Sequence, residues 1–297
     1  MNNIIVVGSA NVDLVIHSAR MPKLGETLTG SNFQTNAGGK GLNQAVAIAK
    51  SGGNISFLGA VGNESHGDFL RRTLDEYGIH FEGFVTDKAP TGTALITVVN
   101  ADNFILLDPG ANATLTPEII ETKRQQIAES DFCVMQLEIP METVLKVMEI
   151  ASSSGTKIVL NPAPFQMLPV ALYPLVDYLV PNEHEAELLT GIHIDNEESA
   201  IKAIRRIQEL GVKNVVITLG EKGSVYTDSN EVLFCPAEKV IAVDTTSAGD
   251  CFIGALVTKL SQGNPIREAI QFATKASAIT VSRPGAAVSI PFAHEIQ

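Results

Sequence analysis

The run Val243-Asp244-Thr245-Thr246-Ser247-Ala248-Gly249-Asp250-Cys251 places a carboxylate directly after small residues, where an extended segment turns into an apolar helix. Small residues let the backbone turn tightly, so the first N–H groups of a helix from Gly249 point into open space. Those unpaired donors, with the positive end of the helix dipole, make an anion site. A carboxylate at Asp250 can then accept a proton from a nucleophile while the N–H groups hold developing phosphate charge. The chemistry this spacing predicts is phosphoryl transfer. Cys251 lies at the same helix start, where a thiol pKa is lowered. No histidine partner is evident, so the sequence reads it as a small buried residue behind Asp250.

Asn36-Ala37-Gly38-Gly39-Lys40-Gly41-Leu42-Asn43-Gln44-Ala45 is the second chemical signal. Paired glycines bring backbone close to a ligand, and a helix from Leu42 would set Lys40 and Asn43 at its mouth, facing hydroxyls. A glycine-rich turn with a solvated lysine fits the same residues. The GxxxxGK[ST] spacing of a Walker loop is absent. Gly8-Ser9-Ala10-Asn11-Val12-Asp13 leaves the first strand with Asn11 and Asp13 on one face, a pair suited to vicinal hydroxyls or to an Asx turn. In Pro181-Asn182-Glu183-His184-Glu185, residues Asn182 and Glu185 share a helical face, offering oxygens to hydrated Mg²⁺ or a solvated acidic first turn to the helix dipole. Thr218-Leu219-Gly220-Glu221-Lys222-Gly223 reads as a phosphate cradle or as a plain hairpin. The six histidines show no metal-binding spacing.

These side chains need elements to hold them. Apolar runs at Ile4–Val7, Ile55–Gly59, Phe132–Gln136, Lys157–Leu160, Tyr178–Val180, Asn214–Thr218 and Gly223–Thr227 predict strands, alternating with helices whose ends are readable. Ile201, Ile204, Ile207 and Leu210 keep one helical face behind an Asp195-x-x-Glu198 capping box and before Gly211. Pro117 and Pro265 follow Thr116 and Asn264, as first-turn prolines follow caps. Such alternation predicts a mainly parallel sheet with helices on both faces and ligands at the carboxyl ends of its strands. Asn11–Ile16 with Thr29–Thr35, and Gly92–Leu107, are β-rich and too small for a separate domain, which suits a lid.

The bulk numbers narrow the partners. Among 297 residues, 45% are hydrophobic and 18% charged, ample for a core, and the net charge of −12 argues against nucleic acid. No apolar run approaches the roughly 20 residues of a membrane helix. Met1-Asn2-Asn3 runs straight into the first strand, leaving no room for a signal peptide. Three cysteines without CxxC spacing fit a reduced, cytoplasmic setting.

Taken together, these motifs resemble the ribokinase family of carbohydrate kinases over essentially the whole chain. Gly38-Gly39-Lys40-Gly41-Leu42-Asn43-Gln44-Ala45 matches the family's N-terminal signature, and Asp244–Asp250 its C-terminal DTxxAGD. The Gly8–Asp13 start, Gln136-Leu137-Glu138, Asn161-Pro162-Ala163-Pro164 and Thr218-Leu219-Gly220 follow its ribose-phosphorylating subgroup. The resemblance implies an α/β fold, a three-layer α/β/α sandwich with a mainly parallel central sheet and a small β-sheet lid. Residues 1–297 would form one kinase domain, with the lid from insertions at about 11–36 and 91–108.

It further implies ATP-dependent phosphorylation of the 5-hydroxyl of D-ribose. Asp250 would be the base, and the N–H groups around Ser247, Ala248 and Gly249 the anion hole. Asn11, Asp13, Gly39, Lys40, Asn43 and Glu138 would hold the sugar. Asn182, Thr218, Gly220, Gly223 and Gly249 would line the ATP site, with Glu185 reaching Mg²⁺ through water. A K⁺ ion would sit among Asp244, Thr246, Thr280, Arg283, Gly285 and Ser289, although Pro284 departs from the family's usual residue there and Ser247 stands where alanine or glycine is common. A homodimer through the lids is implied as well. The sequence leaves open a kinase for 2-deoxyribose or a nucleoside, and a non-catalytic sugar sensor on the same fold. A dinucleotide oxidoreductase lacks GxGxxG after the first strand.

Overall fold

The computed structural model describes residues 3–99, 102–229 and 231–296. The central sheet runs, edge to edge, Glu231–Pro236, Gly223–Asp228, Asn214–Thr218, Tyr178–Leu179, Lys157–Leu160, Phe132–Met135, Asn3–Val7, Asn54–Leu58 and His80–Phe81. From Asn214–Thr218 to His80–Phe81 every pairing is parallel, and the last two strands at the other edge form an antiparallel hairpin. The first strand shows why these runs are apolar throughout. Ile4 and Val6 enter one core with Leu42, Phe57, Phe252 and Leu256. Ile5 and Val7 enter a second core on the other face, with Met135, Val147 and Ile204. A strand covered on both faces has no solvent side on which to alternate.

A second sheet, ordered Ser31–Gly38, Asn11–His17, Gly92–Val99 and Asp102–Asp108, is built from the two β-rich stretches. Residues 100 and 101 of the second stretch lie outside the described residues. Asp13 pairs with Ala94 and Leu14 with Leu95, while Ala94 opposes Leu107 and Leu95 opposes Leu106. The pleat therefore puts Asp13, Ala94 and Leu107 on one face, and Leu95, Leu106 and Phe104 on the other.

Several helix ends differ by a residue from the sequence reading. The helix Glu197–Glu209 is capped by Asn196, whose side chain accepts from Ser199 N while Ser199 Oγ accepts from Asn196 N; the box is Asn196/Ser199, not Asp195/Glu198. Pro265 occupies the cap position of Ile266–Val281 itself, with φ −57° and ψ 149°, and Asn264 lies outside the helix. Thr116 caps Pro117–Glu121 as its spacing predicts. Among the described residues no helix is long and apolar enough to cross a membrane.

Candidate active site

Gly39 caps the helix Lys40–Lys50 with φ 89°, a left-handed value that favours glycine. The helix thus begins at Lys40, two residues before the predicted start at Leu42. It can do so because Gly41 presses on the loop after the first strand, where a Cβ would stand 2.6 Å from Ser9 N. Leu42 N donates to Ser9 O and Gly41 N to Ser9 Oγ. This clamp holds the Lys40 helix against the carboxyl end of the first strand.

Across from it stands the helix Ala248–Ser261, packed on the same core. Ser247, its cap, adopts φ 60°. The helix starts one residue earlier than the expected Gly249, and the Ala248 N–H turns to Thr245 O at 3.3 Å. No acceptor is found for the N–H groups of Gly249 and Asp250 among the described residues, and a Cβ on Gly249 would meet nothing within 4 Å. The open donors of the anion site are therefore Gly249 and Asp250, with the unpartnered Ser247 hydroxyl beside them.

Asp250 is 8% exposed and carries a donor on each oxygen. Asn43 Nδ2 donates to Oδ2 at 3.1 Å, and Gln44 Nε2 to Oδ1 at 2.9 Å. The Asn43 carbonyl oxygen is buried and has no partner, so it can accept from a ligand hydroxyl. Asp13, 8% exposed, feels the charges of Glu138 and Asp250. Burial, then those two charges, pushes its carboxyl up to about 7. Burial pulls the Lys40 ammonium down, yet Asp250, Glu138 and Glu185 together hold it above its ordinary value. Glu138 Oε2 accepts from Ser9 Oγ at 2.5 Å and from Lys40 N at 3.1 Å. Asn11 accepts at Oδ1 from Asn112 Nδ2 at 2.7 Å, in a turn just past the second sheet. Asp13, Lys40, Asn43, Glu138 and Asp250 are thus tied into one polar cluster by hydrogen bonds and charge, and Gly39 abuts Asn11, where a Cβ would stand 2.9 Å from the Asn11 N.

A cavity of about 230 Å³ opens beside Asp250. Lys40, Asn182, Glu185, Thr218, Ser247, Ala248 and Gly249 line it with Asp250. Asn182 caps the helix Glu183–Thr190 instead of sharing its face: Asn182 Oδ1 accepts from Glu185 N, and the Glu185 carboxylate accepts from Asn182 N and Nδ2. Burial raises the Glu185 carboxyl against the lowering effect of Asn182 and Lys40. With each Glu185 oxygen already bonded once, this carboxylate suits an Mg²⁺ ion met through its waters. Among the described residues no three acidic, histidine or cysteine groups cluster as direct metal ligands. Gly220 and Gly223 lie outside the cavity lining, in the turn after Thr218. That turn joins two antiparallel strands.

The six residues of the implied K⁺ site fall into two adjoining segments. Asp244 accepts from Thr246 N at 2.9 Å and from Gly285 N at 3.0 Å, and Val281 O receives the N–H groups of Val243 and Asp244. Burial opposes ionisation of Asp244, but the Thr246 and Gly285 hydrogen bonds keep its carboxyl below the ordinary value. Thr280 O accepts from Arg283 N, while the Arg283 side chain pairs with Glu295. Ser289 hydrogen-bonds Ala286 O. Lys50, buried, donates to the carbonyls of Ala287 and Ile290 and so ties this loop to the Lys40 helix. One ionised carboxylate among neutral carbonyls is a donor set that fits a monovalent cation. Cys251 is 1% exposed, and burial drives its thiol up to about 12, the reverse of helix-start activation.

Gln44, Gln136, Asn161 and Asn112 support the site although the sequence reading gave them no role. Gln136 and Asn161 directly follow strand ends, Asn112 lies in the short helical turn Gly110–Thr114, and Gln44 lies one helical turn from Lys40. That turn is the one signal that could have found it.

A family model described as pfkB family carbohydrate kinase matches residues 1–293. The ribokinase of Haemophilus influenzae is 41% identical over 292 residues, covering 98% of this chain and 95% of the relative. A deoxyribokinase of Salmonella typhi is 36% identical, covering 97% and 95%. The structure of Arabidopsis thaliana ribokinase complexed with ribose and ATP superposes with a TM-score of 0.93 at 31% identity, covering 99% of this chain and 97% of that one.

Proposed function

This chain belongs to the pfkB family of carbohydrate kinases, and from that premise we propose that it transfers the terminal phosphoryl group of ATP to the 5-hydroxyl of D-ribose. The products are D-ribose 5-phosphate and ADP. The observation that carries this reading is the position of Asp250, hydrogen-bonded to Asn43 and lining the same cavity as Lys40, Asn182, Thr218 and the open Gly249 helix start. A base there touches both an acceptor hydroxyl and an incoming phosphate.

In the reaction, Asp250 takes the 5-hydroxyl proton as that oxygen attacks the γ-phosphorus. The bond to the β-phosphate oxygen breaks, and ADP leaves with the electron pair. The Gly249 and Asp250 N–H groups hold the charge on the transferring group, in a site where fixed donors need no reorganisation. Lys40 adds a positive charge beside them. Asn11, Asp13, Gly39, Lys40, Asn43 and Glu138 hold the sugar hydroxyls. Asn182, Thr218 and Gly249, which line the cavity, hold the nucleotide, and the backbone of Gly220 and Gly223 in the turn after Thr218 extends that contact. Mg²⁺, met by Glu185 through water, neutralises phosphate charge when bound. K⁺ held by Asp244, Thr246, Thr280, Arg283, Gly285 and Ser289 would steady the loop beside the anion hole.

The second sheet serves as a lid, from insertions at about 11–36 and 91–108 of a single kinase domain, and closure keeps water from competing as acceptor. Its outward face, with Leu95 51% and Leu106 72% exposed, suits pairing with a second copy in a homodimer. Three free cysteines fit a reducing, cytoplasmic setting.

The deoxyribokinase relative keeps 2-deoxyribose as the second reading. ADP release measured over a sugar panel, with K⁺ and again with Na⁺, separates the two. We expect kcat/KM to favour ribose, because a site bonded to the 2-hydroxyl rejects its absence strongly, and to fall when Na⁺ replaces K⁺. A preference for 2-deoxyribose overturns the ribose reading, and no ADP release with any sugar overturns the kinase reading.

A further inference from the structure

We propose that Gln44 positions the Asp250 base, holding Oδ1 at the end of a one-way amide chain anchored on the Val180 carbonyl and leaving Oδ2 to take the sugar proton. The inference rests on Asp250 being the base, and it adds which atom acts and what aims it.

The direction of the chain is fixed by groups that cannot reverse. Val180 O can only accept, and Asn161 Nδ2 donates to it at 3.0 Å. The oxygen of Asn161 must therefore face Gln44, and Gln44 Nε2 donates to it at 3.3 Å. The same nitrogen donates to Asp250 Oδ1 at 2.9 Å. Gln44 Oε1 then faces away and accepts from Gln136 Nε2 at 2.6 Å. Flipping any of these amides would set two oxygens or two N–H groups against each other in a fully enclosed place, since Gln44 and Gln136 are both 0% exposed. Even Gly8 is part of the arrangement, because a Cβ there would overlap the Gln136 amide oxygen.

Each carboxylate oxygen accepts one amide N–H. Oδ1 has the shorter bond, from Gln44, which is fully enclosed, whereas Oδ2 is bonded to Asn43, which is 6% exposed and stands on the open side. Oδ2 carries the Asn43 amide at 3.1 Å and keeps a second lone pair. Asn43 Oδ1, buried and unpartnered, lies on the same amide. The 5-hydroxyl proton passes to Oδ2 as the O–H bond breaks and the new O–P bond forms. Two neighbouring positions of one helix, Asn43 and Gln44, thus grip the two oxygens of a base more than 200 residues away in the chain.

The charged groups that act on Asp250 are Lys40 of the same helix, Asp13 of the lid and Glu185 of the Glu183–Thr190 helix, with the thiol of Cys251 adjoining. None of them is altered by changing Gln44 or Gln136. The test therefore compares Gln44→Met, Gln44→Glu and Gln136→Met with the wild type. For each, kcat is measured against pH with Mg²⁺ and K⁺, and ribose binding by calorimetry.

Removing the amide donor from a carboxylate makes its protonation easier. The acid limb of kcat should move to higher pH in both Gln44 variants, furthest in Gln44→Glu, where a second carboxylate faces the first. We expect kcat near neutral pH to fall about tenfold or more while the ribose dissociation constant changes less than about threefold. Gln136→Met should shift the limb in the same direction by less, and it decides alone if the Gln44 variants do not fold. An unmoved acid limb in the folded variants, or loss of ribose binding in step with kcat, overturns the positioning role. Asp250→Asn is the separate control: if it still turns over, the base reading itself has failed.

Discussion

At the scale of single residues, the site is crowded with carboxylates that share few cations. Glu138, Glu185 and Asp250 act on Lys40, and Asp13 faces the charges of Glu138 and Asp250. Asp13 shows the consequence, because burial, Glu138 and Asp250 lift its carboxyl from 3.8 to about 7. The folded chain holds that proton more tightly than the unfolded chain. Its contribution to stability is therefore complete below about 3.8 and lost as pH rises through about 7. Asp13→Asn removes the titration. In melting scans without ligand, the wild type should lose more Tm between pH 5.5 and 8 than the variant does; equal losses would contradict the assigned cause. The types of these residues were legible in the sequence, but their mutual charge was not, because it arises only when strands and helices far apart in the chain converge.

At the scale of elements, two helix starts make the chemistry. The Lys40 helix brings Lys40, Asn43 and Gln44 to the mouth of the sheet, and the Ala248 helix brings its open N–H groups and Asp250. Gly249 separates folding from function cleanly, since its Cβ would enter empty space that belongs to the cavity. Gly249→Ala should leave Tm unchanged or raise it, because alanine in a helix is better than glycine by about 1 kcal/mol. The same methyl stands where the phosphate must approach, so ADP release should fall at least about tenfold. A variant with both normal Tm and normal turnover would remove this helix start from the anion site. Helix positions were readable from apolar spacing and glycines, whereas their first residues were not. Asn196 won the cap over Asp195 because its side chain accepts the Ser199 N–H, a competition between neighbouring caps that sequence pattern does not rank.

At the scale of the whole molecule, the second sheet has two different faces. One face carries Asp13 of the polar cluster together with Ile105 and Leu107, and the opposite face carries Leu95, Phe104 and Leu106, each about half exposed or more. Apolar surface of this kind is ordinarily covered by another surface. If a second copy covers it, Leu106→Glu buries a charge in the interface and should convert a dimer into a monomer by light scattering, with the Tm of each subunit nearly unchanged. A wild-type monomer, or a variant that still dimerises, counts against lid pairing. The alternation in Thr93–Val99 marked this stretch as β in the sequence. Which face met the site depended on strand register, and register is set by pairing partners outside the stretch.

The sequence by itself determined the parallel sheet, the two chemical signatures and the reaction class. Apolar runs, capping residues and paired glycines act through local geometry, which any chain carries in its own order. The tertiary structure decided which groups confront each other. It turned Asn182 from a helix-face ligand into the cap that holds Glu185. It raised rather than lowered the Cys251 thiol. It also exposed the amide chain through Gln44, Gln136 and Asn161 behind the base. Hydrogen-bond direction and desolvation depend on what stands opposite in space. For Asp250 those partners are Asn43 and Gln44 of one helix, backed by Gln136 and Asn161 at the ends of two strands, brought together only when the helix packs on the sheet.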